Sequence, residues 1–293
     1  MKKIIDTAMS EIKGFKEMSH KLERDLILKG KTQKTYKCYI RQIAAISLEF
    51  KKLAVEISNE EIAEYLFKVK KENDYSVSYF KFTVYGLRYL FRLYNLEYKL
   101  IKLPPLPKKK ILPVILSQEE CKKLFAAPEE FKYKFMLALI YSAGLRMGET
   151  QRLERLDIDT ERMLIHVRQG KGQKDRYIVL SKFLASRYKK YCREYKITKF
   201  VFPGQKDGHY ISKTTVRKIL KHAVLKAGIE KSVCVHTLRH CFATHMLENG
   251  IDIVTVKEQL GHEYIQTTME YLQVARFKRK TAVSPLDSLY GIK

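Results

Sequence analysis

The stretch IKLPPLPKKKILP, residues 101–113, carries four prolines in thirteen positions. Each proline removes a backbone donor and fixes φ, so the stretch blocks regular structure and stiffens the chain. It reads as a linker between a unit at 1–100 and a second at 114–275, with a tail at 276–293. Lys108, Lys109 and Lys110 make the linker positive, which suits a segment lying along a phosphate backbone.

The first hundred residues carry helical patterns. KTQKTYKCYIRQIAAISLEF places Tyr36, Ile40, Ile43 and Ile46 at spacings of three and four, one apolar stripe of a helix. ISNEEIAEYLFKV opens on Ser58 or Asn59 ahead of acids, a helix start. SVSYFKFTVYGLRYLFRLYN gives another stripe, with Lys81, Arg88 and Arg92 off it. These stripes are read as core and not as a cofactor site. Beyond the linker, SQEE at 117–120 predicts a capping box from Ser117 and Glu120, and helical patterning runs through FKYKFMLALIYSAGLRMGETQRL. RMLIHVRQGKGQKDRYIVL (162–180) then has two alternating runs about a polar turn, a hairpin. From SKFLASRYKKYCREY to TTMEY the pattern is helical, and Thr267-Thr268 is poised to open a last helix.

Charge narrows the partner. The chain holds 57 Lys and Arg against 32 Asp and Glu, a net +25. Both parts share the excess, +7 over residues 1–100 and +18 over 101–293, so two surfaces are expected to face one polyanion. Nucleic acid is the expected partner, because neutralising phosphates releases counterions; a generally lysine-rich surface is the bland alternative. No apolar run approaches a membrane span, and the N-terminus lacks the apolar core of a signal peptide. Five cysteines without CxxC spacing argue against a disulfide framework or zinc site and for a reducing cytoplasm.

Several residues carry possible chemistry. Arg146, in SAGLRMGE, sits by a small-residue turn after an apolar helix, where a guanidinium needs an anion; Glu149 could supply it internally. Lys171, between glycines in QGKGQKDR, fits neither common phosphate-loop pattern, yet a lysine at a hairpin tip can reach into another element's site. In HTLRHCFATH, His236 and Arg239 share a helical face. His236 and His240 invite a metal reading, but HExxH needs Glu at 237, where Thr stands. His240 and His245 read as structural. His262 follows Gly261, expected to end a helix in the left-handed conformation, and Tyr271 follows nine residues later. Together these residues could handle a phosphodiester without metal or other cofactor. Cations would stabilise the phosphorane, a tyrosine would attack, and histidine or lysine would supply a proton.

The chain resembles the tyrosine recombinase (phage-integrase) family, close to its compact Xer-type and integron-type members. SAGLRMGE, GKGQKDR, HTLRHCFATHMLENG and LGHEYIQTTMEY carry the resemblance, in the family's order and approximate spacing. It covers residues 115–275 strongly, while TQKTYKCYIRQI and YGLRYLFRLYN resemble the N-terminal helices more loosely. YLQV follows the tyrosine where YTHV is common.

The resemblance implies a mainly α fold with a small β-hairpin or sheet: a helical SAM-like core-binding domain and an α/β catalytic domain, closing as a C-shaped clamp on duplex DNA. Arg146 and Arg239 would grip the scissile phosphate and His262 would hydrogen-bond it. Lys171 would protonate the 5′ leaving group, His236 would assist proton transfer at the tyrosine, and Tyr271 would form the 3′-phosphotyrosyl bond. Glu149 would support them. Lys34, Arg41, Lys81, Arg88, Lys174 and Arg176, with the linker lysines, are the expected DNA contacts. The implied assembly is a homo-tetramer on two sites passing through a Holliday junction, with a second recombinase or accessory protein as a further partner and the tail linking subunits. The setting is the cytoplasm of a bacterial or archaeal cell. Two rivals remain: a type IB topoisomerase and a catalytically silent DNA-binding protein.

Overall fold

The computed structural model describes residues 2–71, 77–100, 103–104, 112–168, 175–206 and 208–275. The chain divides into two compact units, Met1–Lys109 and Lys110–Lys293. Lys108, Lys109, Lys110, Lys171, Lys174 and the tail at 276–293 lie outside the described residues.

The first unit is helical: α1 (Lys2–Glu11), α2 (Phe15–Leu28), α3 (Gln33–Phe50), α4 (Asn59–Lys71), α5 (Val77–Leu93) and the single turn α6 (Glu97–Leu100). Helix α3 starts where Thr32 accepts a bond from the Thr35 N–H. Its stripe is buried as its spacing predicts, with Ile40, Ile43 and Ile46 fully covered and Tyr36 bonded to Ser19 at 2.7 Å. Ser58 and Glu61 cap α4 reciprocally, each such cap adding about 1 kcal/mol. Gly86 of α5 faces the α3 backbone at Tyr39, where an added Cβ would make ordinary contact at 3.5 Å.

The second unit combines helices with a small sheet. It runs α7 (Gln118–Ala126), α8 (Phe131–Ser142), α9 (Met147–Arg152), β1 (Ile158–Asp159), β2 (Leu164–Val167), β3 (Arg176–Val179), α10 (Lys182–Glu194), α11 (Lys213–Lys226), α12 (Val235–Glu248), α13 (Ile253–Leu260) and α14 (Gln266–Met269), then a 3-10 turn at Glu270–Gln273. The Ser117–Glu120 capping box opens α7 as expected. Strands β1, β2 and β3 pair antiparallel in chain order. The first of them was not expected from the sequence. Ile165 faces Ile178 and Val167 faces Arg176 across β2 and β3, so these four share one face of the sheet. Ile165, Val167 and Ile178 are buried, which makes that face the inner one. Phe135 and Tyr191 stack at 4.6 Å in the core, and the Tyr191 hydroxyl donates to the Val201 carbonyl.

The segment TTMEY departs from expectation. It forms one turn of α14 and passes into the 3-10 turn that carries Tyr271, instead of a longer helix. Among the described residues no helix is long and apolar enough to cross a membrane.

Candidate active site

Helix α12 is buried along most of its length, and Arg239 sits in its middle with only 1% of its surface exposed. Its guanidinium donates to two main-chain carbonyls, Gly144 O and Leu260 O, both at 2.6 Å. These carbonyls lie just past the end of α8 and at the end of α13, where helix dipoles place negative potential. Gly144 has φ +55°, and a Cβ there would come within 2.5 Å of the Phe242 ring. A side chain at 144 would therefore disturb the turn that holds Arg239.

Arg146 precedes α9, and Glu149 lies one turn into it. The Glu149 carboxylate accepts from the Arg146 N–H at 2.8 Å and from its guanidinium at 2.7 Å. Arg146 also donates to Gly261 O at 3.2 Å. Arg176 grips the same carboxylate with two bonds and donates to Gln259 O. Three guanidiniums thus gather near one buried carboxylate, with Arg239 the most distant at 4.0 Å.

Gly261 ends α13 at φ +62°, and a Cβ there would lie 2.8 Å from Arg176 Cδ. Next in chain, His262 bonds Thr268 Oγ1 through Nδ1 at 2.9 Å, and its ring runs nearly parallel to that of Tyr271 at 6.2 Å. Tyr271 is 4% exposed. Its hydroxyl meets His240 Nδ1 at 3.2 Å, and the His240 ring packs edge-on against His236 at 4.9 Å.

The electrostatics follow from this crowding. Burial works to raise the Glu149 pKa, but the hydrogen bonds and charge of Arg176, with Arg146, hold it at about 2. Burial, Arg239 and Arg146 push His262 down to about 3. Burial, His236 and Arg239 push His240 to about 4. His236 is exposed at the surface, yet partial desolvation, Arg239 and Arg146 lower its pKa as well. Burial raises the Tyr271 phenol, while Arg239 and Arg146 pull it back. Burial and Arg146 weaken the hold of Arg239 on its proton, but a guanidinium stays charged at neutral pH. The site therefore holds excess positive charge beside neutral imidazoles, an environment that favours a bound anion.

Of the residues expected from the sequence, Arg146, His236, Arg239, His262 and Tyr271 come together. Two residues make contacts that the sequence did not suggest. Arg176, expected on DNA, has an 11% exposed side chain and is committed to Glu149 and Gln259. Its place on the inner face, two residues before buried Ile178, is the signal that alternation offered. His240, read as structural, touches the tyrosine hydroxyl; no spacing rule pointed to a contact across 31 positions. His245 does hold structure, bonded to Tyr141 and to the Leu116 carbonyl. Among the described residues no three His, Cys, Asp or Glu side chains gather as a metal set.

In the first unit Lys34 and Arg41 lie exposed on α3, while Lys81 and Arg88 on α5 are half-buried. Arg88 spends one donor on the Pro104 carbonyl.

Residues 115–277 match the phage integrase family, and residues 18–98 match the N-terminal SAM-like domain of phage integrases. The chain is 34% identical over 274 residues to the tyrosine recombinase XerA of Thermococcus onnurineus, covering 90% of this chain and 93% of that protein. It resembles a crystal structure of XerA recombinase at 25% identity, with a TM-score of 0.52 over 94% of this chain and 97% of that one. A lambda integrase tetramer bound to a Holliday junction shares the fold, with a TM-score of 0.69 at 20% identity over 90% of this chain and 80% of that one. The chain belongs to the phage integrase family, the tyrosine recombinases.

Proposed function

We propose that the chain is a site-specific recombinase that breaks and rejoins duplex DNA through a 3′-phosphotyrosyl intermediate. The observation that carries this reading is the Tyr271 hydroxyl held beside a cluster whose arginines outnumber its one carboxylate. In this reading Arg146 and Arg239 bind the non-bridging oxygens of the scissile phosphate and neutralise the phosphorane as its charge develops. His262, its Nδ1 engaged by Thr268, donates to the phosphate from Nε2. Tyr271 Oη attacks phosphorus, the P–O5′ bond breaks, and Lys171 protonates the departing oxygen. Glu149 and Arg176 hold Arg146 and the end of α13 in place. His236 lines the same phosphate pocket. The phosphotyrosyl bond conserves the energy of the phosphodiester, so rejoining needs no nucleotide hydrolysis.

Four copies would synapse two sites, and exchange would pass through a Holliday junction, as the tetramer of lambda integrase supports. A plasmid assay tests the reading. Two copies of the native site on a supercoiled circle should yield resolved or inverted products. Relaxation without strand exchange would instead favour a type IB topoisomerase. Binding without breakage would favour a catalytically silent DNA-binding protein.

A further inference from the structure

We propose that His240 is the group that takes the phenolic proton of Tyr271 during cleavage and returns it during rejoining. The proposal rests on the recombinase reading above and reassigns one of its steps, the proton transfer that the resemblance gives to His236.

The geometry carries it. His240 Nδ1 lies 3.2 Å from Tyr271 Oη, within reach for direct transfer. The two rings pack at 5.6 Å and Tyr271 is only 4% exposed, so bulk water is a poor competitor for the proton. His236 makes its ring contact with His240. Transfer to Nδ1 has the phenol hydroxyl donating to an unprotonated nitrogen, which requires the proton of the neutral His240 ring to sit on Nε2.

The surroundings explain why the base waits for substrate. Burial, His236 and Arg239 hold the imidazolium form of His240 far out of range, with a pKa of about 4. A phosphate seated on the arginines brings the opposite charge and stabilises a proton on the ring. Without DNA, Tyr271 keeps its proton and is a poor nucleophile.

The step balances. Tyr271 Oη forms a bond to phosphorus, the P–O5′ bond breaks, the Oη proton passes to His240 Nδ1, and the 5′ oxygen takes a proton from Lys171. In rejoining the 5′-hydroxyl attacks phosphorus and passes its proton to Lys171, the P–Oη bond breaks, and His240 returns its proton to Oη.

The test uses the full chain and a nicked suicide duplex. His240→Asn sets an amide oxygen near the position of Nδ1, so the hydrogen bond can survive while basicity is lost. Its rate of adduct formation should fall by about 10²-fold or more, with DNA binding and melting temperature close to those of the unaltered protein. Placing a fluorinated, more acidic tyrosine at position 271 should then restore the rate of the His240→Asn variant about tenfold or more, and raise that of the protein with His240 intact by a smaller factor.

A wild-type rate in His240→Asn would overturn the proposal, as would a slow variant that the acidic tyrosine does not restore. Rescue of His236→Asn instead of His240→Asn would return the role to His236. Should His240→Asn fail to fold, nitrogen-15 spectra of the unaltered protein still decide. An Nε2–H tautomer at His240 is expected, and an Nδ1–H tautomer overturns the assignment. If the unaltered protein forms no adduct on any site, the recombinase reading itself fails and this proposal with it.

Discussion

Glu149 and Arg176 meet in a two-bond fork, with Nη1 on Oε1 at 3.0 Å and Nη2 on Oε2 at 2.8 Å, and the glutamate is only 5% exposed. The fork ties strand β3 to helix α9, and the third donor of Arg176 ties both to the end of α13. Arg146 bonds the same carboxylate and the Gly261 carbonyl. One buried acid thus organises the arginines proposed to hold the phosphate and the segment that carries His262.

The fork has a pH signature. The Glu149 pKa is held from the ordinary 4.5 down to about 2. A depressed carboxylate contributes stability that is fully present above its unfolded pKa and lost as pH falls through its folded pKa. Stability worth roughly 3 kcal/mol should therefore drain away between about pH 5 and 2. Glu149→Gln should remove this share of the pH dependence. At neutral pH it should lower stability by about 3 kcal/mol, because the partly buried guanidiniums of Arg146 and Arg176 lose their counter-charge. Urea titrations of both proteins across that range check it; parallel pH curves would contradict the assignment.

Gly261→Ala is a small change at a demanding place. The backbone there has φ +62°, and the new methyl would lie 2.8 Å from Arg176 Cδ. The left-handed residue alone costs about 1 kcal/mol, and Arg176 must also shift. Thermal melting should drop by several degrees, and adduct formation should fall further than DNA binding, because His262 and the Arg146 contact move together. Equal loss of binding and cleavage would place the effect in global folding instead.

Arg146→Ala and Arg239→Ala should each slow cleavage by about 10²–10³-fold, the usual effect of removing a donor from a developing oxyanion. Lys171→Ala should recover on a substrate with a bridging 5′-phosphorothiolate, whose sulfur leaves without a proton. The arginine variants should not recover to the same extent. Single-turnover cleavage on both substrates gives the comparison, and equal rescue of all three would remove Lys171 from the acid role.

Lys34 and Arg41 stand exposed on α3, whereas Arg176 is enclosed. Replacing Lys34 and Arg41 by alanine should weaken binding to all sequences alike and lower the log–log salt slope by about one for each phosphate no longer neutralised. Arg176→Lys should leave that slope unchanged while lowering the melting temperature and the cleavage rate. A matching drop in slope for Arg176→Lys would put it back on the DNA.

These outcomes divide along what a sequence can carry. The stripe Tyr36, Ile40, Ile43 and Ile46 and the Ser117–Glu120 cap are local patterns, set by helix period and by unpaired backbone donors, and the structure repeats them. The gathering of Arg146, His236, Arg239, His262 and Tyr271 was readable from three of the four motifs; Lys171 of the fourth lies outside the described residues. Strand β1 was not readable, since two residues are too few to show a period. The partial enclosure of Arg176 was masked by its charged neighbours Lys174 and Asp175, which make KDR look like surface. The His240–Tyr271 contact is purely tertiary, as it depends on how α12 meets the 3-10 turn at Glu270–Gln273.

The central claim is that Tyr271 is the nucleophile, and a covalent trap tests it most directly. A duplex nicked beside the cleavage point lets the short 5′ strand escape and strands the enzyme on DNA. The unaltered protein should form an adduct with divalent metal chelated, with the 3′ phosphate mapped by peptide sequencing to Tyr271. Tyr271→Phe loses only a hydroxyl, so it should bind the same DNA and yield no adduct. An adduct that persists in Tyr271→Phe, or that maps to another residue, would contradict the account.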